Sequence, residues 1–276
     1  MNSKFCKKAL TTFALLAFMS SLPSGASAKD ATASKIAPAK TIQPKNATNS
    51  FNGSLTSAKQ YHQRGADRAA KGDTQGALND FREAIKLDPK YFLAFFDRAV
   101  LQATIGNHPE AISDYNQAIA IDPKSAQAYA RRADSQRIID HKEAALADYN
   151  QAIKLDPSLP GAFQGRGSVK TRLGDLKGAL ADYTKAIELD KENSNGYLER
   201  GNLYLSSKEY TKALNDFNQA IRLSPKDPFL YFYRGSLFQK IGKTKEALAD
   251  YDLAIQIDPN CIAAIDSVKS LKQSAK

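Results

Sequence analysis

Arginine and aspartate recur in this sequence at one fixed interval, and each arginine precedes an aspartate by one constant separation. The arginines are Arg64, Arg98, Arg132, Arg166, Arg200 and Arg234. The aspartates are Asp80, Asp114, Asp148, Asp182, Asp216 and Asp250. A guanidinium group can bind a carboxylate through two parallel, charge-assisted hydrogen bonds. We call the residues at one position of the repeat a column. The arginine and aspartate columns are therefore either six such pairs or twelve independent surface charges.

The C-terminal end of the pattern separates these interpretations. After Cys261 the first half of the repeat occurs once more, from residue 262 to 272, and no second half follows. The arginine position there holds Val268, although Asp250 of the preceding repeat is present. Arginine is missing where its own aspartate is missing, which favours pairing within one repeat. We interpret the pairs as structural devices that set register, since a buried ion pair is a weak source of stability.

The remaining reactive side chains predict no catalytic site. His62, His108 and His141 stand at different positions of the repeat, and a metal site requires several ligands that converge. Paired cysteines, His-x-x-x-His and glycine-rich phosphate loops do not occur. The sequence therefore predicts no catalytic residue, no metal site and no cofactor, and nothing in it supports an enzyme.

The elements that position these pairs follow from the other columns of the repeat. Alanine, an aromatic residue and alanine recur at spacings of four and three, as in Ala77, Phe81 and Ala84, and proline follows five residues later. These spacings predict one face of a helix, and the residue before proline is driven out of helical geometry. A first helix carries glycine or alanine directly after each arginine. Each repeat is therefore predicted to be helix, turn, helix, turn, with close helix contact at the small residue.

These columns resemble the tetratricopeptide repeat (TPR) family, whose pattern of aromatic, Leu-Gly, Tyr, Ala, Phe, Ala and Pro they match. The departures are Lys191 for proline, Asp140 and Lys208 for the turn glycine, and arginine for leucine. The resemblance implies an all-α, right-handed superhelix. The apolar stripe of Ile265, Val268 and Leu271 predicts that the last helical pattern caps the sixth repeat, so that 262–276 is a capping helix and tail. The six repeats are 58–91, 92–125, 126–159, 160–193, 194–227 and 228–261.

The resemblance also implies a binding groove on the concave face, lined by fixed positions of the first helices. Carried over to this chain, the strongest candidates are Leu93, Phe96, Val100, Asp134, Arg137, Arg172, Leu198, Asn202, Phe229, Phe232 and Lys240. This lining is apolar near Phe96 and Phe232, with Arg137 and Arg172 between them. It predicts an extended peptide or short helix with apolar anchors around an acidic centre. The alternative is that Phe96 and Phe232 only pack against neighbouring helices.

The N-terminal region predicts export. Lys4, Lys7 and Lys8 precede an apolar stretch over 9–22. Ala26-Ser27-Ala28 is typical of a cleavage site, so residues 1–28 are interpreted as a signal peptide. The alternative, an uncleaved anchor, requires about 20 apolar residues. The mature protein is then periplasmic or secreted if the source is bacterial, with no membrane insertion. Residues 29–57 have the polar composition of a disordered linker.

Charge argues against nucleic acid as a partner. The net charge is +10, but three of these charges lie in the signal peptide. In the repeats, lysine and arginine alternate with acids and are not gathered on one face. The predicted function is thus an exported scaffold that binds other proteins through the groove. The competing hypothesis is a structural array that associates with itself into homo-oligomers.

Overall fold

The computed structural model of the protein describes residues 56–274. The predicted signal peptide and all but the last two residues of the predicted linker lie outside them. The described residues form 13 helices, which fall into two compact units, here called the N-terminal half (56–157) and the C-terminal half (158–274). None of these helices is long and apolar enough to cross a membrane. The predicted all-α fold of helical hairpins is confirmed.

The N-terminal half contains three helical hairpins. Its helices are α1 (Ala58–Ala70), α2 (Thr74–Leu87), α3 (Phe92–Thr104), α4 (His108–Ile121), α5 (Ala126–Ile138) and α6 (Lys142–Leu155). In each hairpin the first helix packs on the second, and the second helices α2 and α4 pack on the first helix of the next hairpin. The first helices also touch one another, α1 with α3 and α3 with α5.

The C-terminal half contains three more hairpins and a final single helix. Its helices are α7 (Pro160–Leu173), α8 (Leu176–Leu189), α9 (Ser194–Ser206), α10 (Tyr210–Leu223), α11 (Pro228–Lys240), α12 (Thr244–Ile257) and α13 (Ile262–Ser274). The capping role predicted for α13 is confirmed, because Val268 and Leu271 pack on the core while Asp266 and Lys269 are exposed. Cys261, which directly precedes α13, is fully buried in this core.

Short polar sequences begin and end the helices. Ser57 accepts a hydrogen bond from the backbone N–H of Gln60, and the side chain of Gln60 accepts one from the backbone N–H of Ser57, so α1 begins with a capping box. Asp73 and Asp175 cap α2 and α8 by accepting from backbone N–H groups. Four of the six second helices end at an extended aspartate that precedes proline, as the sequence predicts.

The core is made of the repeated small and aromatic residues of the second helices. Both alanine columns and the aromatic column between them are almost completely buried in every repeat. Where the first helix carries glycine, an added Cβ would come too close to the facing aromatic ring, as at Gly201, 2.8 Å from Phe217 Cε1. Glycine is thus required by the approach of the two helices.

The turn inside each hairpin has a residue in the left-handed region. Four repeats use glycine there, while Asp140 and Lys208 adopt φ values of 65° and 61°. The turn keeps its hydrogen bonds with either residue type: Glu209 N–H donates to Tyr204 O at 2.8 Å, as Asp73 N–H does to Arg68 O at 2.9 Å. The departures from glycine therefore strain the backbone locally and leave the hairpin unchanged.

Replacing Lys208 with glycine should raise the free energy of unfolding by about 1 kcal/mol. The left-handed conformation costs a residue with a Cβ about 1 to 2 kcal/mol, more than glycine loses through its greater entropy when unfolded. Urea unfolding followed by circular dichroism measures the change. The matched variant Gly242→Ala should be destabilised, since Gly242 has φ of 79°. Equal or lower stability of Lys208→Gly would contradict this account.

Candidate functional site

The solvent-facing side of α1, α3 and α5 carries the predicted binding residues of the N-terminal half, and we call it the N-terminal first-helix face. On α3, Leu93 is 44% exposed, and Phe96 and Val100 are half-buried. These three residues lie at spacings of three and four and form one apolar stripe along the helix. Phe96 and Val100 also pack on the buried cluster of Ala99, Ala111 and Tyr115.

Phe96 combines the two roles that its sequence position left open. Its ring stacks on Phe92 with centroids 5.5 Å apart and meets Tyr115 edge-on at 5.9 Å. The ring is nevertheless half-buried, not buried. It therefore packs against a neighbouring helix and also keeps part of its surface exposed to solvent.

Asp134 and Arg137 on α5 are held by one buried tyrosine. Tyr149 donates its hydroxyl hydrogen to Asp134 Oδ1 at 2.6 Å, and Arg137 Nε donates to Tyr149 Oη at 3.4 Å. Burial raises the pKa of Tyr149 well above its ordinary value, so this hydroxyl remains a donor. Arg137 is half-buried, and its guanidinium contributes to a local network in addition to facing solvent.

The structure corrects the prediction for α11 in the C-terminal half. Phe229 and Phe232 were expected among the groove residues, but only 9% and 6% of their surface is exposed. Phe232 lies 5.8 Å from Tyr251 and 5.5 Å from Tyr233, between ring centroids. The large rings of this repeat cover one another, so Phe229 and Phe232 belong to the core.

The other predicted residues of this half remain at the surface. Arg172 and Lys240 are exposed, whereas Leu198 and Asn202 are half-buried. Leu198 packs against the large core cluster. The solvent-facing side of α7, α9 and α11 is therefore mainly polar, with amides and hydroxyls such as Gln164, Ser236 and Gln239.

One contact of the N-terminal first-helix face was missed by sequence reasoning. His62 on α1 reaches Asp97 on α3, with Nε2 to Oδ2 at 2.7 Å, and its Nδ1 lies 3.4 Å from Tyr91 Oη. The side chain of His62 is 13% exposed and that of Asp97 is 37% exposed. The only signal that joins the two positions in the sequence is their separation, which is one residue more than the period.

The structure brings together all six arginines and aspartates of the two columns. In every repeat Nε and one terminal nitrogen of the arginine donate to the two oxygens of its own aspartate, at 2.5 to 2.9 Å. The aspartates are buried, and the hydrogen bonds to Asp216 raise the pKa of Arg200. Each pair joins the first helix of a hairpin to the second.

Two further partners of the arginines were not predicted. Each guanidinium lies over the aromatic ring three residues earlier, as at Arg64, whose Cζ is 5.3 Å from the centroid of Tyr61. The second terminal nitrogen can reach the preceding hairpin: Arg132 donates to Asn116 and Arg234 to Asn218, both at 2.7 Å. The sequence contained a signal for this contact, because asparagine or threonine, which can accept a hydrogen bond, follows the second-helix aromatic in repeats 2 to 5.

A second cation reaches the aspartate in two repeats. Arg68 donates to Asp80 Oδ2 at 3.0 Å, and Lys170 Nζ lies 2.9 Å from Asp182 Oδ2. Both stand four residues after the paired arginine. Each of these buried carboxylates is therefore held by two positive charges.

Ser135 on α5 provides a test of how strictly the hairpin core must be apolar. It is 1% exposed, and its hydroxyl has no hydrogen-bond partner among the described residues. Four other repeats have leucine or valine at this position, namely Leu101, Val169, Leu203 and Leu237. The hydroxyl is therefore a buried polar group without a protein partner among the described residues, and burial of such a group costs free energy on folding.

We expect Ser135→Ala to raise the free energy of unfolding by about 1 kcal/mol, because it removes the unsatisfied hydroxyl and improves helix propensity. Ser236→Ala is the matched control. Its hydroxyl donates to Phe232 O and accepts from Tyr251, so its removal should destabilise the protein. The two changes in urea midpoint should have opposite signs, and a loss of stability in Ser135→Ala would show that this hydroxyl is satisfied.

Within residues 56–274, no three histidine, cysteine or acidic side chains are placed to hold a metal ion. His108 is partly covered, and burial followed by the charge of Arg137 lowers its pKa. The groups that remain accessible on the N-terminal first-helix face are the α3 stripe and its polar neighbours.

Comparison with known families identifies the repeat. Models described as tetratricopeptide repeat match residues 62–126, 126–159 and 228–261, and a model described as TPR repeat matches 167–207 and 201–242. Together the matches extend over most of the described residues. No curated protein matches the chain.

Solved structures share the fold. The APC/C hetero-tetramer Cut9-Hcn1 is 20% identical with a TM-score of 0.70, and the match covers 78% of this chain and 42% of that one. MamA protein is 25% identical with a TM-score of 0.55, over 62% of this chain and 93% of its own. YrrB, described as a TPR protein with an unusual peptide-binding site, is 21% identical with a TM-score of 0.54, over 68% and 97%.

Proposed function

Because the chain belongs to the tetratricopeptide repeat family, we propose that it is an exported adaptor that holds a segment of another protein on the first-helix faces of its repeats. The tetratricopeptide repeat fold supports protein-protein interaction and is typically a non-catalytic scaffold. The observation that carries the proposal is the α3 stripe, in which Leu93 is 44% exposed beside the half-buried Phe96 and Val100.

Two further arguments support this proposal. The packing columns are the same in every repeat, whereas the solvent-facing positions of the first helices differ, so these positions are free to encode a partner. YrrB, a structure with the same fold, is described as having a peptide-binding site. Export rests on the sequence pattern of residues 1–28.

The proposal is tested by a pair of leucines with similar exposure. Leu93 on first helix α3 is 44% exposed, and Leu87 on second helix α2 is 51% exposed. Leu93→Asp should reduce affinity capture of partners from the native compartment about tenfold, while Leu87→Asp should leave capture intact. Circular dichroism should be unchanged in both variants, since neither side chain is buried. Equal capture by Leu93→Asp and the unaltered protein would refute docking on this face.

Self-association is a second candidate function, favoured by one observation at the C-terminal end. The position two residues after the second-helix aromatic is polar in five repeats, but the sixth has Leu253, which is 40% exposed. Ile257 and Ile262 are also exposed, at 37% and 42%. Sedimentation separates the candidates: a strict monomer at all concentrations favours the adaptor, whereas dimers that Leu253→Glu abolishes favour self-association.

A further inference from the structure

The chemistry of the partner can be inferred from the charged groups beside the α3 stripe, and this inference rests on the proposed function. Asp97 directly follows Phe96, and 37% of its side chain is exposed. Its described partner is the imidazole of His62, at 2.7 Å. Within residues 56–274, no lysine or arginine forms an ion pair with Asp97.

The arginines on the neighbouring helix are differently placed. Arg137 donates to Tyr149, and Arg131 lies 3.9 Å from Asp134 Oδ2. Asp134 in turn accepts the Tyr149 hydroxyl hydrogen at 2.6 Å. The charged groups of α5 therefore interact with one another. Beside the α3 stripe, the carboxylate of Asp97 is a negative charge that has no lysine or arginine partner among the described residues.

We infer that the segment bound on the N-terminal first-helix face is a short amphipathic helix with a lysine or arginine next to its apolar anchor. Leu93, Phe96 and Val100 form a ridge along α3, and ridges of this kind pack against another helix. A cation of the partner would then meet the Asp97 carboxylate at the edge of a contact that excludes water. This reverses the acidic centre expected from the sequence.

The burial of Asp97 favours such a contact. Its carboxylate is neither fully solvated nor enclosed like the six paired aspartates, which are at most 6% exposed. A charge-assisted hydrogen bond at a partly covered group contributes more to binding than an exposed ion pair. An acidic partner residue at the same place would be repelled, which gives discrimination between partners.

The test uses three fluorescein-labelled amphipathic peptides that share one leucine face and differ only in the residue beside it, which is lysine, glutamine or glutamate. Fluorescence anisotropy with the full chain gives the dissociation constant of each. We expect the lysine peptide to bind most tightly and the glutamate peptide about tenfold more weakly. In Asp97→Asn, which keeps an acceptor for His62, the three constants should agree within about twofold.

Asp67→Asn serves as the matched control, since Asp67 is an exposed acid on α1 that accepts a hydrogen bond from Gln63. It should keep the tenfold preference. Equal binding of the lysine and glutamate peptides to the unaltered protein would overturn the inference and leave the proposed function standing. If none of the peptides shows saturable binding, both the inference and docking on this face are refuted.

Discussion

Replacing Asp182 with alanine is expected to lower the free energy of unfolding by about 4 kcal/mol. Asp182 is 3% exposed and accepts hydrogen bonds from Arg166 Nε at 2.9 Å and from its terminal nitrogen at 2.6 Å. Lys170 Nζ lies 2.9 Å away on the same carboxylate. The variant leaves two cations without their shared counter-charge in a partly covered site. Urea unfolding followed by far-ultraviolet circular dichroism measures the loss.

A triple variant separates charge from packing. Asp182→Leu with Arg166→Met and Lys170→Met removes all three charges and should recover most of the stability, because the destabilisation comes from unbalanced charge. Glu188→Ala removes an exposed partner of Lys185. This control should cost less than about 1 kcal/mol. If the triple variant is as unstable as Asp182→Ala, the loss comes from packing at α7 and α8, and our account of the pairs is wrong.

The second large effect is expected from Gly201→Val, which should destabilise the protein by about 3 kcal/mol. A Cβ at this position would lie 2.8 Å from Cε1 of Phe217, and Phe217 is fully buried. The valine must either push the ring aside or separate α9 from α10, and overpacking of this kind is costly. Thermal and urea unfolding of the variant both report the change.

The matched control is Gly161→Val on first helix α7. An added Cβ there meets nothing within 4 Å. The change in stability should therefore be much smaller than that of Gly201→Val, as for most surface substitutions. Adding Phe217→Leu to Gly201→Val should restore part of the lost stability, since the smaller side chain makes room for the methyl groups. No loss in Gly201→Val alone would mean that the two helices tolerate wider separation than the structure indicates.

Much of the hairpin could be read from the sequence because its determinants are local and repeated. Ala77, Phe81 and Ala84 share a helix face by spacing alone, and proline five residues later ends that helix. The matched occupancy of the arginine and aspartate columns, together with Val268 at the last position, favoured pairing within a repeat. The structure shows that contact in all six hairpins.

The candidate binding face was predicted less well, because exposure at one position depends on the residues that surround it. Phe96 and Phe232 occupy the same position of the repeat, yet Phe96 is half-buried while Phe232 is 6% exposed. Phe232 lies among the rings of Tyr233 and Tyr251, and its repeat is rich in large side chains. Equivalent positions of two repeats can have different neighbouring side chains, so the exposure of a residue cannot be predicted from its place in the repeat alone.

By itself, the sequence determined the helices, the turns, the buried columns and the ion pairs within each hairpin. All of these follow from periodicity and from partners at one constant separation. Only the tertiary structure decided which first-helix residues remain accessible, that His62 meets Asp97, and that the arginine terminal nitrogens reach Asn116 and Asn218. These contacts join different repeats, and they depend on side-chain sizes and angles that a repeating pattern does not specify.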